Sequence, residues 1–145
     1  MSEAAADPGQ RRSSTRRKAR KRALDILFEA ELRGTDPMQT LAERAADAEP
    51  PVRDYTKTLV EGVATFREGI DQRISAALAK GWTLPRLPRV DRAALRIAAF
   101  ELDHLAVPPP VVVSEAVHLV SELSTDESPA FVHGVLGSLV STRQT

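Results

Sequence analysis

The sequence predicts an all-α protein of six to seven helices. Three observations carry that prediction. Apolar residues recur every three or four positions through each long segment, the spacing of one face of a helix. Prolines punctuate the chain between those segments, at 50–51, 85, 88 and 108–110. The one β-branched run, Val111–Val113, follows three prolines and leads straight into a helical pattern, so no strand is expected.

The elements follow in order. Residues 1–14 open without periodicity around Pro8 and Gly9 and are expected to form a disordered basic arm. Ser13, Ser14 or Thr15 then caps a first helix whose apolar stripe is Ala19, Ala23, Ile26, Leu27 and Ala30, ended by Gly34. Asp36 as N-cap, Pro37 at the first position and Gln39 as a capping-box partner start a short second helix carrying Met38, Leu41, Ala45 and Ala48. The longest pattern runs Tyr55, Leu59, Val63, Phe66, Ile70, Ile74, Leu78. It predicts about seven turns, bent or broken near Gly69. The segment RVDRAALRIAAFELDHL is apolar round most of its circumference and predicts a central helix contacted from several sides. Val113, Ala116, Val117, Val120 and Leu123 mark the next helix. Ser128 as N-cap and Pro129 at the first position start the last, with the stripe Val132, Val135, Leu136, Leu139 and Val140. The connector WTLPRLP divides one domain, residues 15–145, into helical subdomains of about 15–82 and 83–145.

Composition narrows the function. With 145 residues, 42% of them hydrophobic and 28% charged, the chain has the makeup of one soluble globular domain. No apolar stretch approaches the roughly 20 residues of a membrane helix, and the start carries no signal-peptide block, so a cytoplasmic location is expected. Cysteine is absent, which removes disulfide and thiolate-metal chemistry. The three histidines lie far apart, no glycine-rich phosphate loop or nucleophile elbow is legible, and neither metal nor cofactor is expected. The chain therefore reads as a binding protein rather than an enzyme.

The zero net charge hides an asymmetry. Residues 1–22 hold eight Arg and Lys against Glu3 and Asp7, and the remainder is correspondingly acidic. Six of the seven positions from Arg16 to Arg22 are basic, at the start of a helix, where the backbone dipole disfavours cations. An anionic polymer is the first candidate for what offsets that, and a basic protein for the acidic body. Phe131 lies roughly 100° from its helix's apolar stripe, at the edge of the core, where an aromatic ring serves as core or as a stacking platform. Asp91, early on the most apolar helix, reads on local grounds as an acid favouring the helix dipole. Arg92 and Arg96 are a like-charged pair one turn apart that requires an acid nearby, Glu101, Asp103 or a group elsewhere.

The segments ARKRALDILFEAE, GWTLPRLPRVDRAALRIAAFEL and VPPPVVVSEAVHLVSELSTDESPAFVHGVLG, in that order, resemble the NusB family of bacterial transcription antitermination factors. The resemblance runs from about Arg16 to Leu139 and is most specific in Arg86–Arg92 and Ser128–Leu136. It implies an all-helical fold of two packed helical subdomains and no catalytic role. It also implies binding of boxA RNA in ribosomal RNA leader transcripts, together with the ribosomal protein NusE, within an RNA polymerase complex containing other Nus factors. By position it implies RNA contacts at Arg16, Arg17, Lys18, Arg20, Glu127 and Phe131, and contacts to NusE at Phe28 and Asp91. Two departures stand out: FVHG in place of the family's F-V-N-G, which puts His133 where Asn is usual, and Gly137 where many relatives have Asp. The alternative reading is a protein-binding helical adaptor without specific RNA recognition, and a homodimer is a candidate assembly. Some ribosomal RNA cytosine methyltransferases carry a similar domain. The chain's length and lack of a cysteine nucleophile point away from that enzyme class.

Overall fold

The computed structural model describes residues 8–142, and the expectations for residues 1–7 lie outside them. Seven helices follow one another: α1 (Pro8–Arg33), α2 (Pro37–Asp47), α3 (Asp54–Thr65), α4 (Arg67–Ala77), α5 (Arg89–His104), α6 (Pro109–Leu123) and α7 (Ser128–Ser141). A single 3-10 turn, Leu84–Arg86, lies between α4 and α5, and no strand occurs among the described residues.

The helix ends show which local signals acted. α1 starts at Pro8, not at a cap among Ser13–Thr15. Proline suits a first helical position because its missing N–H is unpaired there in any case. The Thr15 hydroxyl instead donates to the Arg11 carbonyl one turn back, at 2.8 Å. Residues 8–14, expected within the disordered arm, are thus the first turns of the helix. α1 ends as its Gly34 signal predicts. Gly34 takes a φ of 67°, and the Thr35 N–H bonds the Ala30 carbonyl at 2.9 Å, closing the last turn. Asp36 caps α2 by accepting from the Met38 N–H at 2.9 Å. Gln39 turns to Glu43 rather than back to the cap, so the expected capping box stays open. Ser128 is already inside α7, and Glu127 occupies the cap position without a side-chain bond, one residue earlier than predicted.

The long periodic segment is two helices, broken at Phe66 rather than Gly69. Phe66 leaves helical geometry (φ −103°, ψ 19°) and is 44% exposed, so its place in the apolar stripe was misread. Its ring instead stacks on His104, with centroids 4.1 Å apart, and on Phe100 at 6.1 Å. Along α6 the buried face is Val112, Glu115, Ala116, Leu119 and Val120. That is one position round from the predicted stripe, because the face includes a buried carboxylate that an apolar pattern ignores.

α5 is the centre, as its composition predicts. Every residue from Asp91 to Leu102 is buried, and α1, α3, α4, α6 and α7 all pack on it. It comes close to α3 at Gly62, where a Cβ would lie 2.0 Å from the Phe100 ring. Only glycine lets the ring sit on the α3 backbone.

Gly62→Ala is therefore expected to lower stability by about 1–3 kcal/mol or more, because the buried ring would have to shift to admit the Cβ. Urea denaturation checks this. A variant as stable as the wild type would show that Phe100 repacks freely. Gly69→Ala, where a Cβ meets nothing within 4 Å, is the matched control.

Candidate functional site

The basic run on α1 divides into two groups once the helix is packed. Arg20 faces inward: it is 3% exposed and forks onto Glu101 of α5 with bonds of 2.8–3.0 Å. The Tyr55 hydroxyl of α3 donates to the same carboxylate. Burial opposes the charge on Arg20, yet the bonded Glu101 outweighs it and holds the guanidinium above its ordinary value. Arg20 is thus a buried strut between helices, and the RNA contact expected of it meets a guanidinium already engaged by Glu101. The sequence pattern concealed this because a buried, paired Arg and an exposed one look alike on a helical wheel.

The remaining cations face outward. Arg17 bonds Glu115 of α6 at 3.0 and 3.2 Å while staying half exposed, and that hydrogen-bonded carboxylate raises its pKa. Arg16 lies over the Tyr55 ring, 4.8 Å from its centre. Lys18, Lys21 and Arg22 line an open groove of about 470 Å³ against Pro50–Arg53. The groove adds Arg53, a fourth cation that the sequence did not single out because it sits on the far side of a proline break. Asp25 in the same groove is raised by burial, against the pull of Lys21 and Arg22.

The second group of site residues lies at the other end of α5. Asp91 is 2% exposed and accepts from Ser124 Oγ at 2.6 Å and Ser128 Oγ at 2.9 Å. The Ser128 oxygen also accepts from the Thr125 N–H at 3.2 Å. Asp91 therefore pins the start of α7 to α5. The partner contact expected of Asp91 thus meets a carboxylate whose two oxygens are both engaged inside the fold. Phe131, one turn into α7, is half-buried, with its ring 5.6 Å from that of Trp82 and tilted by 52°. Glu127 is exposed beside it, lining the same cleft. Phe28 is half-buried on α1, one turn before Glu31. His133 is exposed on the opposite side of α7, along a groove with Pro109, Pro110, Val113 and Val117. It makes no hydrogen bond among the described residues.

Ion pairs set the distance between the two groups. Arg20 meets Glu101 while Glu31 meets Arg92, so α1 and α5 run antiparallel. The cationic start of α1 lies by the C-terminal part of α5, and Phe131 by its N-terminus. Asp91 and Glu101, which anchor the two groups, are ten residues or about 15 Å apart along α5, the length of about four stacked nucleotides at the roughly 3.4 Å rise of a strand. The site residues do not converge on one pocket. They suit an extended ligand. The acid that Arg92 and Arg96 require is Glu31 of α1, shared with Asp71 of α4, which bonds Arg96 at 2.8 and 3.1 Å. Glu101 and Asp103 are engaged elsewhere, with Arg20 and Arg73. Among the described residues, no group of acidic and histidine side chains is placed to hold a metal ion, and no helix is long and apolar enough to cross a membrane.

The sequence profile of the NusB family matches residues 17–141. A transcription antitermination protein NusB of Acidothermus cellulolyticus is 53% identical over 131 residues, which cover 90% of each chain. The corresponding protein of Cutibacterium acnes is 51% identical over 127 residues, 88% of this chain, and this chain spans only about half (49%) of that relative's length. Among solved structures, NusB of T. maritima superposes with a TM-score of 0.80 at 30% identity, covering 90% of this chain and 93% of its own. A chain from a structure of antitermination factors NusB and NusE in complex with double-stranded RNA gives 0.77 at 31% identity, covering 87% and 96%.

Two expectations follow from the buried strut. Arg20→Ala leaves Glu101 buried without its guanidinium and is expected to lower stability by about 3–5 kcal/mol in urea unfolding. A loss below 1 kcal/mol would mean that the pair is solvated. Tyr55 is the only tyrosine, so its ionisation can be followed directly by tyrosinate absorbance. Burial, and then its bond to Glu101, raise its pKa far above the ordinary value of about 10. The unfolded chain ionises at the ordinary value, so stability from this group is full below about pH 10 and is lost as pH rises beyond it. At about pH 11 the folded protein is expected to show no tyrosinate. Ionisation near 10 without unfolding would remove the Tyr55–Glu101 bond.

Proposed function

Because the chain belongs to the NusB family, we propose that it is a transcription antitermination factor that binds boxA RNA of ribosomal RNA operons together with the ribosomal protein NusE. In that role it supports processive transcription by RNA polymerase with other Nus factors. The observation that carries the RNA-binding part is the division of the basic run. Arg20 is used inside, whereas Arg16, Arg17, Lys18, Lys21, Arg22 and Arg53 remain at the surface, more positive charge than the fold requires. Counterion release from RNA phosphates supplies affinity there without regard to sequence. Preference for one sequence then comes from unpaired bases, stacked and hydrogen-bonded at Phe131 and Glu127, about 15 Å along α5.

For the NusE contact, Phe28 remains the surface candidate on α1, and Asp91 acts from within by holding α7 in place. The protein works in the cytoplasm, where its RNA is made, and by binding rather than by catalysis. A purely protein-binding adaptor is the competing reading, and it leaves the surface cations without a ligand.

Fluorescence anisotropy of labelled boxA RNA and a scrambled control, at two salt concentrations and with and without NusE, tests the function. Preference for boxA that NusE strengthens supports it. Equal weak binding to both RNAs, indifferent to NusE, supports the adaptor. Replacing Arg16 and Lys18 by Ala is expected to make the log–log salt dependence shallower by about one to two. Phe131→Ala is expected to reduce discrimination between the two RNAs by about 1–3 kcal/mol.

A further inference from the structure

Trp82 is the only tryptophan in the chain, and it is 45% exposed. It is not on a loose loop. The buried guanidinium of Arg92 donates to the carbonyls of Leu84 and Leu87, each at 2.9 Å, and so clamps the connector from beneath. The Leu84 and Leu87 side chains are buried, and the Trp82 N–H bonds the Ala79 carbonyl at 3.0 Å. A large aromatic surface is therefore held rigid and open to water, where covering it would be favourable by about 25 cal/mol per Å².

The surroundings indicate what covers it. Trp82 and Phe131 form two walls, with ring centres 5.6 Å apart and planes inclined at 52°, too close for a further ring to slide between them. Leu87 and Pro88 make the floor of this cleft of about 390 Å³, within the range of small-ligand sites. Arg86 lies 5.4 Å from the indole centre, tethered by a 2.6 Å bond to the Gly81 carbonyl, and brings a positive charge to the rim. Glu127 lines the other side, and its carboxylate has no hydrogen-bond or ion-pair partner among the described residues.

We propose that Trp82, Phe131 and Arg86 form a stacking cleft for one unpaired nucleobase of the bound RNA, and that Glu127 at its rim selects guanine. This rests on the RNA-binding reading above and assigns Trp82, Arg86 and the base identity within it. Indole, phenyl and guanidinium planes all stack on bases, whichever base is present. Selection comes from the rim. A carboxylate only accepts hydrogen bonds, and guanine alone presents two adjacent donors, N1–H and the 2-amino group, on its pairing edge. Adenine, cytosine and uracil each present one donor beside an acceptor, which a carboxylate repels. Asp91 beneath the cleft does not compete, because Ser124 and Ser128 occupy its oxygens.

The test uses the full chain and labelled oligouridine carrying one central guanosine, adenosine, cytidine or inosine, which is guanosine without its 2-amino group. RNA anisotropy and tryptophan emission are read together, since all tryptophan emission comes from Trp82. The guanosine RNA is expected to raise anisotropy and quench emission with the same midpoint. Trp82→Ala is expected to weaken it about tenfold or more. Inosine is expected to bind the wild type several-fold more weakly, and Glu127→Gln to erase that difference. Rising anisotropy with unchanged emission overturns the stacking cleft and leaves RNA binding standing. Quenching that is equal for all four RNAs overturns the guanine selection. No binding to any of them, or to boxA RNA, overturns both this proposal and the RNA-binding reading. The emission measurement needs no variant, so it decides the matter even if Trp82→Ala fails to fold.

Discussion

The structure depends on charge brought into the middle of a helix bundle. α5 is buried on every side, yet it carries Asp91, Arg92, Arg96 and Glu101. None of these can be desolvated alone, since an unpaired buried ion costs several kcal/mol. Each is met by a group from another element: Glu101 by Arg20 and Tyr55, Arg92 by Glu31, Arg96 by Asp71, and Asp91 by Ser124 and Ser128. These partners lie on α1, α3, α4, the α6–α7 turn and the first residue of α7. Satisfying α5 therefore fixes the register of most of the molecule. Apolar packing alone would tolerate sliding, whereas a fork of bonds between Arg20 and Glu101 does not.

That constraint shapes the surface too. By taking Arg20 inside and pairing Arg17 with Glu115, the fold turns a seemingly uniform basic run into a buried strut, a half-engaged residue and a set of solvent-facing cations. Arg92 acts at the other end. Its bonds to Leu84 and Leu87 hold the connector that presents Trp82, and Asp91 holds the turn that presents Glu127 and Phe131. Residues that touch no ligand thus set the geometry of the two surfaces proposed to meet RNA. Fixed aromatic walls and tethered guanidinium groups such as those of Arg17 and Arg86 lose little freedom on binding, which favours affinity per contact.

Particular residues show how far local reasoning reaches. Gly34 and Asp36 act through bonds within a few residues of themselves, so their roles as helix stop and cap were legible. The stripes Ala19–Ala30 and Val132–Leu139 were legible for a similar reason: a buried face repeats at helix period whatever it packs against. Phe66 was misread because periodicity cannot tell an aromatic facing the core from one stacked on an exposed His104 at a helix junction. The α6 stripe was displaced because Glu115 is buried against Arg17 and Arg20, with Arg17 98 residues away in sequence.

By itself the sequence determined the all-helical class, the order of the elements, the centrality of α5 and, through its resemblance, the family. These rest on short-range spacing and on residues whose order can be read along the chain. The tertiary structure alone decided which charges are interior. It made Arg20 and Asp91 structural, left Lys18, Lys21, Arg22 and Arg53 outward, and set Trp82 against Phe131. The physical reason is that a charge's role depends on its partner and on its distance from water, and in this bundle the partners come from helices far apart in sequence.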